Sequence, residues 1–238
     1  MISGMVSALV KAVVQLTDPA FWRVLWKALV LTVAVFAGLV FLAWVLFADL
    51  ALVDISWLPQ AVNDWLNGII EWLARSGVVL LVFLFFPALA TLFVSLFLDD
   101  IASAVEARHY PRDPPGSGLA LGPSVLVALQ FAGVIVLANL VALPFYLLTF
   151  WFPPLSAFIF YGLNGYLLGR EYFELVALRH LPGPAARQVR WENRGRILLG
   201  GVVVTFLLTI PVVNLVAPIL ATAFMVHVFK GLSPKGRV

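Results

Sequence analysis

The sequence predicts an all-α integral membrane protein: two full transmembrane helices, two proline-broken re-entrant helical hairpins, and an N-terminal amphipathic helix. Three observations predict it. The chain has 238 residues, of which 63% are hydrophobic and only 11% charged, whereas a soluble domain carries about a quarter charged residues. Four stretches are nearly free of charge, at residues 28–48, 77–98, 119–169 and 197–229. The last two are interrupted by closely spaced prolines. The same composition excludes disorder. With no Cys, it also excludes a disulfide scaffold, an iron–sulfur cluster, a Cys-ligated zinc site and a thiol nucleophile.

Residues 1–17 form the first element. Ser3, Ser7, Lys11 and Gln15 recur every four residues, with Met5, Leu9, Ala12, Val13 and Leu16 on the opposite side. That period predicts a helix lying in the membrane interface. Asp18 followed by Pro19 then reads as an N-cap with proline at the first helical position, opening a long spanning helix over 19–48. The second spanning helix covers 77–110: its apolar part, 77–98, contains Pro87, and residues 99–113 extend it into the cytoplasm. Each apolar stretch supplies the roughly 20 residues a crossing needs.

The third and fourth stretches give two hairpins, 119–181 and 187–230, and the whole of 1–238 forms one membrane domain. The run Ile210–Pro218 holds Pro211, Asn214 and Pro218, and two prolines so close mark a helix break. Residues 197–229 are too few for two crossings and a turn, so the segment is read as entering and returning on one side. Pro144, Pro153 and Pro154 mark a second break; two full crossings remain the alternative for 119–169. Irregular backbone survives at membrane depth only when it is buried in protein or lines a wet cavity, and paired interrupted segments point to a transport site.

Orientation follows from Lys and Arg, which accumulate in cytoplasmic loops. Residues 49–76 carry Asp49, Asp54, Asp64 and Glu71 against a single base, Arg75. Every other Lys and Arg falls in segments that this topology places on one side, so both termini are cytoplasmic. The same distribution explains a sequence pI of about 9.4 without nucleic acid as a partner, and the Arg187, Arg190 and Arg194 face suits anionic lipid.

No nucleophile or metal-ligand constellation is visible, so neither a cofactor nor an enzyme activity is implied. His109, His180 and His227 are far apart and read as interfacial side chains. Gly4, Gly116, Gly118 and Gly165 form no phosphate loop, and no carboxylate lies inside a predicted span. Three features invite a functional reading. The first is the start of the first long helix, residues 18–27, where free N–H groups and the helix dipole attract an anion and Arg23 adds bidentate donors; interface anchoring by Trp22, Arg23, Trp26 and Lys27 is the alternative. The second is the cytoplasmic extension over residues 99–113, where Glu106 and Arg108 with the neighbouring acids form charge pairs in a structural role. The third is a set of polar residues in the hairpins, Asn164, Asn214 and the i, i+4 pair Arg170 and Glu174, which with Glu106 and Arg108 are candidates for a pore or network.

With Glu106–Ala107–Arg108, the run Gly169–Glu174 and the Ile210–Pro218 segment in view, the chain resembles the bacterial CysZ sulfate permease family, grouped with the etoposide-induced-protein-like membrane proteins. The resemblance covers nearly the whole chain. It implies two spanning helices, two hemi-penetrating hairpins, homo-oligomeric assembly, and sulfate uptake across the bacterial inner membrane for cysteine synthesis. In the permeases sulfate meets a Gly-apolar-Arg-Arg motif at the start of the first long helix. Here Ala20 stands at the Gly position, Phe21 at the apolar one, Trp22 at the first Arg and Arg23 at the second. Taken with this resemblance, the working reading is an anion permease or channel, and the alternative is a non-transporting scaffold or regulator with a basic cytoplasmic face.

Overall fold

The structure is a computed structural model that describes residues 2–46, 55–117 and 121–232. The predicted acids Asp49 and Asp54, the tail bases Lys235 and Arg237, and the first residues of the 119–181 segment lie outside that set. The regular structure of the described residues is all helical: α1 (Ile2–Val14), α2 (Pro19–Leu46), α3 (Gln60–Ser95), α4 (Leu98–His109), α5 (Leu121–Thr149), α6 (Pro153–Ala177), α7 (Gly183–Glu192), α8 (Arg194–Thr209) and α9 (Val213–Leu232). Two compact units result, one of residues 1–24 and 95–238, the other of residues 25–94.

In the larger unit α9 is the central element. Its sequence is apolar on every side, the pattern of a helix surrounded by protein, and every residue of 217–229 is buried. Helices α1, α4, α6 and α8 pack around it. The closest packing joins α6 to α8. Gly165 and Gly169 lie four residues apart on one face of α6, the spacing that lets backbones approach. A Cβ on Gly169 would come within 2.5 Å of the Ile197 carbonyl oxygen, and one on Gly201 would overlap the Gly165 carbonyl oxygen. The adjacent Gly200 faces α9 instead, where a Cβ would meet the Met225 methyl at 2.9 Å. Consecutive glycines therefore let α8 approach two helices at once.

The chain breaks where the prolines suggest. Between α5 and α6 the turn is held by Ser156, whose hydroxyl donates to the Thr149 carbonyl at 2.9 Å, with Pro153 and Pro154 opening α6. Neither Pro144 nor Pro218 takes part in a break, since α5 and α9 continue through them. Between α8 and α9, Val212 has φ 51, a left-handed conformation strained for a β-branched residue, and the Asn214 N–H returns to the Ile210 carbonyl at 2.9 Å. Partner arms pack on each other, α5 on α6 and α8 on α9.

Three sequence expectations change. The segment expected to link the first two spans is helical from Gln60. Its start is fixed by the Asn63 side chain, which exchanges hydrogen bonds with both backbone groups of Ile55 at 3.3 and 3.2 Å. The second long helix does not run unbroken over 77–110, for Leu96 and Phe97 separate α3 from α4. On α1 the buried side is Ala8 and Ala12, while Val6, Val10, Val13 and Val14 face outward. Gln15, expected on the polar face, is 1% exposed, because it begins a 3-10 turn that rotates it out of the α-helical register.

In the smaller unit the Phe36 and Phe86 rings stack at 5.7 Å, and the Arg75 guanidinium lies 4.1 Å over Trp44 while pairing with Glu71. A cavity of about 600 Å³ beside that pair is lined by Val40, Trp44, Trp72 and Val79. Among the described residues two helices are long and apolar enough to cross a membrane, Pro19–Leu42 and Val213–Leu232. Large apolar side chains also point outward, among them Phe41, Leu148, Trp151 and Phe158.

The α6–α8 seam gives a paired test. Gly201→Ala should destabilise the fold by about 1–3 kcal/mol through forced separation of the helices. Gly162→Ala, where nothing lies within 4 Å of the new methyl, should be neutral or stabilising by about 0.4–1 kcal/mol. Melting of both variants in detergent checks the contrast, and equal shifts would refute it.

Candidate anion-binding site and its charged surroundings

The start of α2 is fixed by its first two residues. Pro19 contributes no N–H, and Asp18 caps the helix: its Oδ1 accepts the Ala20 N–H at 3.0 Å. Its carbonyl accepts the N–H groups of Phe21 and Trp22 at 3.0 and 3.4 Å. Asp18 Oδ2 accepts from Arg108 Nη1 at 3.0 Å, so α4 is tied to this terminus by an ion pair. The Ala20 hydrogen bond is the main influence holding the Asp18 carboxyl below its ordinary range, with Arg108 adding to it against a smaller opposing effect of burial.

The four motif positions therefore have different environments. Ala20 has its N–H engaged, Phe21 is buried, and Trp22 is half exposed. Arg23 is exposed and makes no hydrogen bond or ion pair among the described residues. The free first-turn donors expected from the sequence are instead occupied by Asp18.

Glu106 belongs to a separate, buried network. On α4 it shares a face with Ile101, Ala102 and Val105, all buried, which carries its carboxylate into the protein. Arg179, following α6, reaches it through Nη2 at 3.2 Å and also donates to Ser103 Oγ at 2.8 Å. A second guanidinium nitrogen pairs with Asp99. His180 Nε2 lies 2.8 Å from the other Glu106 oxygen, and its ring stacks on Phe229 at 5.4 Å. The Gly116 N–H completes the set at 3.3 Å. A side chain at 116 would collide with Arg179 and His180, at 2.9 and 3.1 Å, so only glycine fits. Burial alone would raise the Glu106 carboxyl, yet the hydrogen bonds from His180 and Arg179 and the Arg179 charge hold it below its ordinary range.

Arg170 and Glu174 pair at 3.2 Å, and Arg190 of α7 approaches the same Glu174 oxygen at 2.9 Å. The carboxylate thus bridges α6 and α7. The Asn164 amide donates to the Phe160 carbonyl one turn back at 2.9 Å, a local bond within α6. Asn214 lies half-buried in the first turn of α9. The structure therefore joins Arg108 to Asp18 and Glu106 to Arg179, but does not bring these groups together with Asn164 or Asn214 through any contact among the described residues.

Sequence reasoning missed Arg179, His180 and Asp99 as members of one network. His180 is no interfacial side chain, and His227 is buried with Nδ1 2.9 Å from the Tyr110 hydroxyl. One signal was available: Glu106 follows Ala102 at i+4 on an apolar face, where a carboxylate demands a cation. Its partner lies 73 positions away in sequence, beyond any local pattern.

These features define an all-helical protein with membrane-length apolar helices, outward apolar side chains and charge gathered at helix ends. The chain belongs to the EI24 family, described as Sulfate transporter CysZ/Etoposide-induced protein 2.4, which matches residues 8–218. That family is one of transporters rather than enzymes, and it points to a membrane protein acting on an inorganic anion. Comparison with curated proteins gives no match.

Because Glu106 titrates lower in the fold than when exposed, its contribution is complete above its ordinary value of 4.5 and fades as pH falls below it. Melting temperature should therefore drop on acidification through that window. Glu106→Gln should lose about 3 kcal/mol or more at neutral pH, since it leaves Arg179 without its buried counter-charge, and should show a flatter acid limb. Parallel pH curves for the two proteins would contradict this assignment.

Proposed function

We propose that the protein is a bacterial inner-membrane anion permease or channel that admits sulfate, with both termini cytoplasmic. The observation that carries the reading is the family match, within which the anion-motif positions fall on the first turn of a long apolar helix. Supporting it are the outward apolar side chains, which favour lipid over water, and the clustering of all bases but Arg75 outside the acidic 49–76 segment.

A dianion in hydrocarbon is prohibitively costly: even one charged side chain at the bilayer centre costs about 2.5–3.5 kcal/mol on the insertion scale. Conduction needs donors in a hydrated path, strong enough to admit the ion and weak enough to release it. Arg23 supplies a charge at the cytoplasmic end of the path, Asn214 places a polar group at the break before α9, and Asn164 places another within α6. Re-entrant hairpins that reach only partway cannot enclose such a path alone, so the working form is a homo-oligomer in which protomers share it. The glycine-seamed pair α6 and α8 provides a stiff wall for each hairpin.

One observation favours a second reading, a non-transporting scaffold or regulator with a basic cytoplasmic face: the first-turn donors of α2 are already satisfied within the protein. Transport measurements separate the two. Proteoliposomes should take up labelled sulfate above empty liposomes, and Arg23→Ala should lower uptake about tenfold or more through loss of charge-assisted hydrogen bonds. No uptake above empty liposomes would refute the permease. Single cysteines introduced as Thr149→Cys and Val213→Cys should resist a membrane-impermeant thiol reagent added outside; ready labelling would refute the re-entrant hairpins.

A further inference from the structure

We propose that the smaller unit holds a zwitterionic phospholipid from the leaflet that residues 49–76 face, with its phosphate on Arg75 and its ammonium group beside Glu71. The inference rests on the membrane placement of α2 and α3 and is independent of transport. On α3, Glu71, Arg75 and Val79 follow one another at intervals of four residues and so form a ladder on one helix face. Each step is about 6 Å along the axis, at 1.5 Å per residue. Charge ends at Arg75, since residues 77–98 are an uncharged stretch. The ladder therefore descends from water through the headgroup level into hydrocarbon, as carboxylate, guanidinium and apolar side chain. A phospholipid of the ethanolamine type presents ammonium, phosphate and acyl chain in the same order.

The ladder lines the cavity of about 600 Å³, a size within the roughly 300–1,000 Å³ of pockets that bury small ligands. Helix α2 lines it with Trp44 and, one turn deeper, Val40. The Arg75 guanidinium lies 4.1 Å from the Trp44 ring centre and pairs with Glu71 through Nη2. Its Nε is buried and has no hydrogen-bond partner among the described residues. A phosphate oxygen satisfies that donor with a charge-assisted hydrogen bond. The headgroup is assigned by charge. Arg75 is the single base of residues 49–76, among Asp49, Asp54, Asp64 and Glu71, and a lipid of net negative charge meets that acidic field. A zwitterion instead brings an ammonium for the Glu71 carboxylate, 34% exposed, and for the face of Trp72. Trp44 and Trp72 are themselves exposed, as indoles are at the headgroup level. Free phosphate or sulfate matches Arg75 but leaves the apolar side of the cavity, at Val40 and Val79, unfilled.

Native mass spectrometry of the purified full-length protein tests the inference, by titration with phosphatidylethanolamine and phosphatidylglycerol of identical acyl chains. The native protein should bind the ethanolamine lipid saturably and about tenfold more tightly than the glycerol lipid. Arg75→Ala should weaken that binding about tenfold, through loss of a charge-assisted hydrogen bond. Glu71→Gln keeps the guanidinium and should erase the preference between the two lipids. Trp65→Ala, an exposed position that does not line the cavity, should leave both affinities unchanged, and melting curves confirm that each variant is folded. Equal binding of the two lipids by the native protein, or an ethanolamine-lipid affinity unmoved by Arg75→Ala, would overturn the inference. Displacement of the bound lipid by inorganic phosphate alone would also overturn it and assign Arg75 to a free anion.

Discussion

The larger unit of this protein depends on the contact between α6 and α8 at Gly165, Gly169 and Gly201. In water, helices associate by burying apolar area; among lipid tails that drive is absent and close van der Waals packing takes its place. Missing side chains let the two backbones touch, with no room for a Cβ on Gly169 or Gly201. Gly200 extends the same economy of space toward α9. Once α6 and α8 are fixed at this distance, a helix apolar on every side has a slot to fill, and the residues 217–229 are buried there.

The end of that packed group accounts for the buried charges. Arg179 and His180 follow directly from α6, Phe229 is near the end of α9, and Glu106 comes from α4. Their meeting point is set by the packing of three helices. A buried ion pair is weak evidence of stability in itself, because desolvation offsets much of the attraction. Its geometric demands are strict, however: Glu106 receives hydrogen bonds or ion pairs from Arg179, His180 and Gly116, and these hold the 110–117 segment to the helix ends. Arg108, two residues on and facing outward, carries the other half of the triplet to Asp18. One short stretch of α4 therefore links the packed core to the start of α2, where the anion reading places substrate.

Much of this was legible in the residues. Composition and the uncharged stretches foretold an all-helical chain with membrane-length apolar segments, Asp18–Pro19 the start of α2, and Pro153, Pro154 and Pro211 the breaks after Thr149 and Thr209. The family was readable from Glu106–Ala107–Arg108, Gly169–Glu174 and Ile210–Pro218. The helix over 60–76 stays hidden when its acids are used only to set orientation, although Val62, Leu66, Ile69 and Leu73 recur at helical spacing. Gln15 was misplaced because periodicity assumes one helical pitch and the chain tightens there.

Local chemistry explains that division. Helix propensity, proline stops and the aversion of charge to hydrocarbon act within a few residues, so they are written along the chain. The Arg179–Glu106 partnership, the occupation of the Ala20 N–H by Asp18 braced by Arg108, and the glycine seam join residues distant in sequence or depend on which rotamer wins. Those were decided only in three dimensions, because the strength of a charge or a contact is set by what packing excludes from around it.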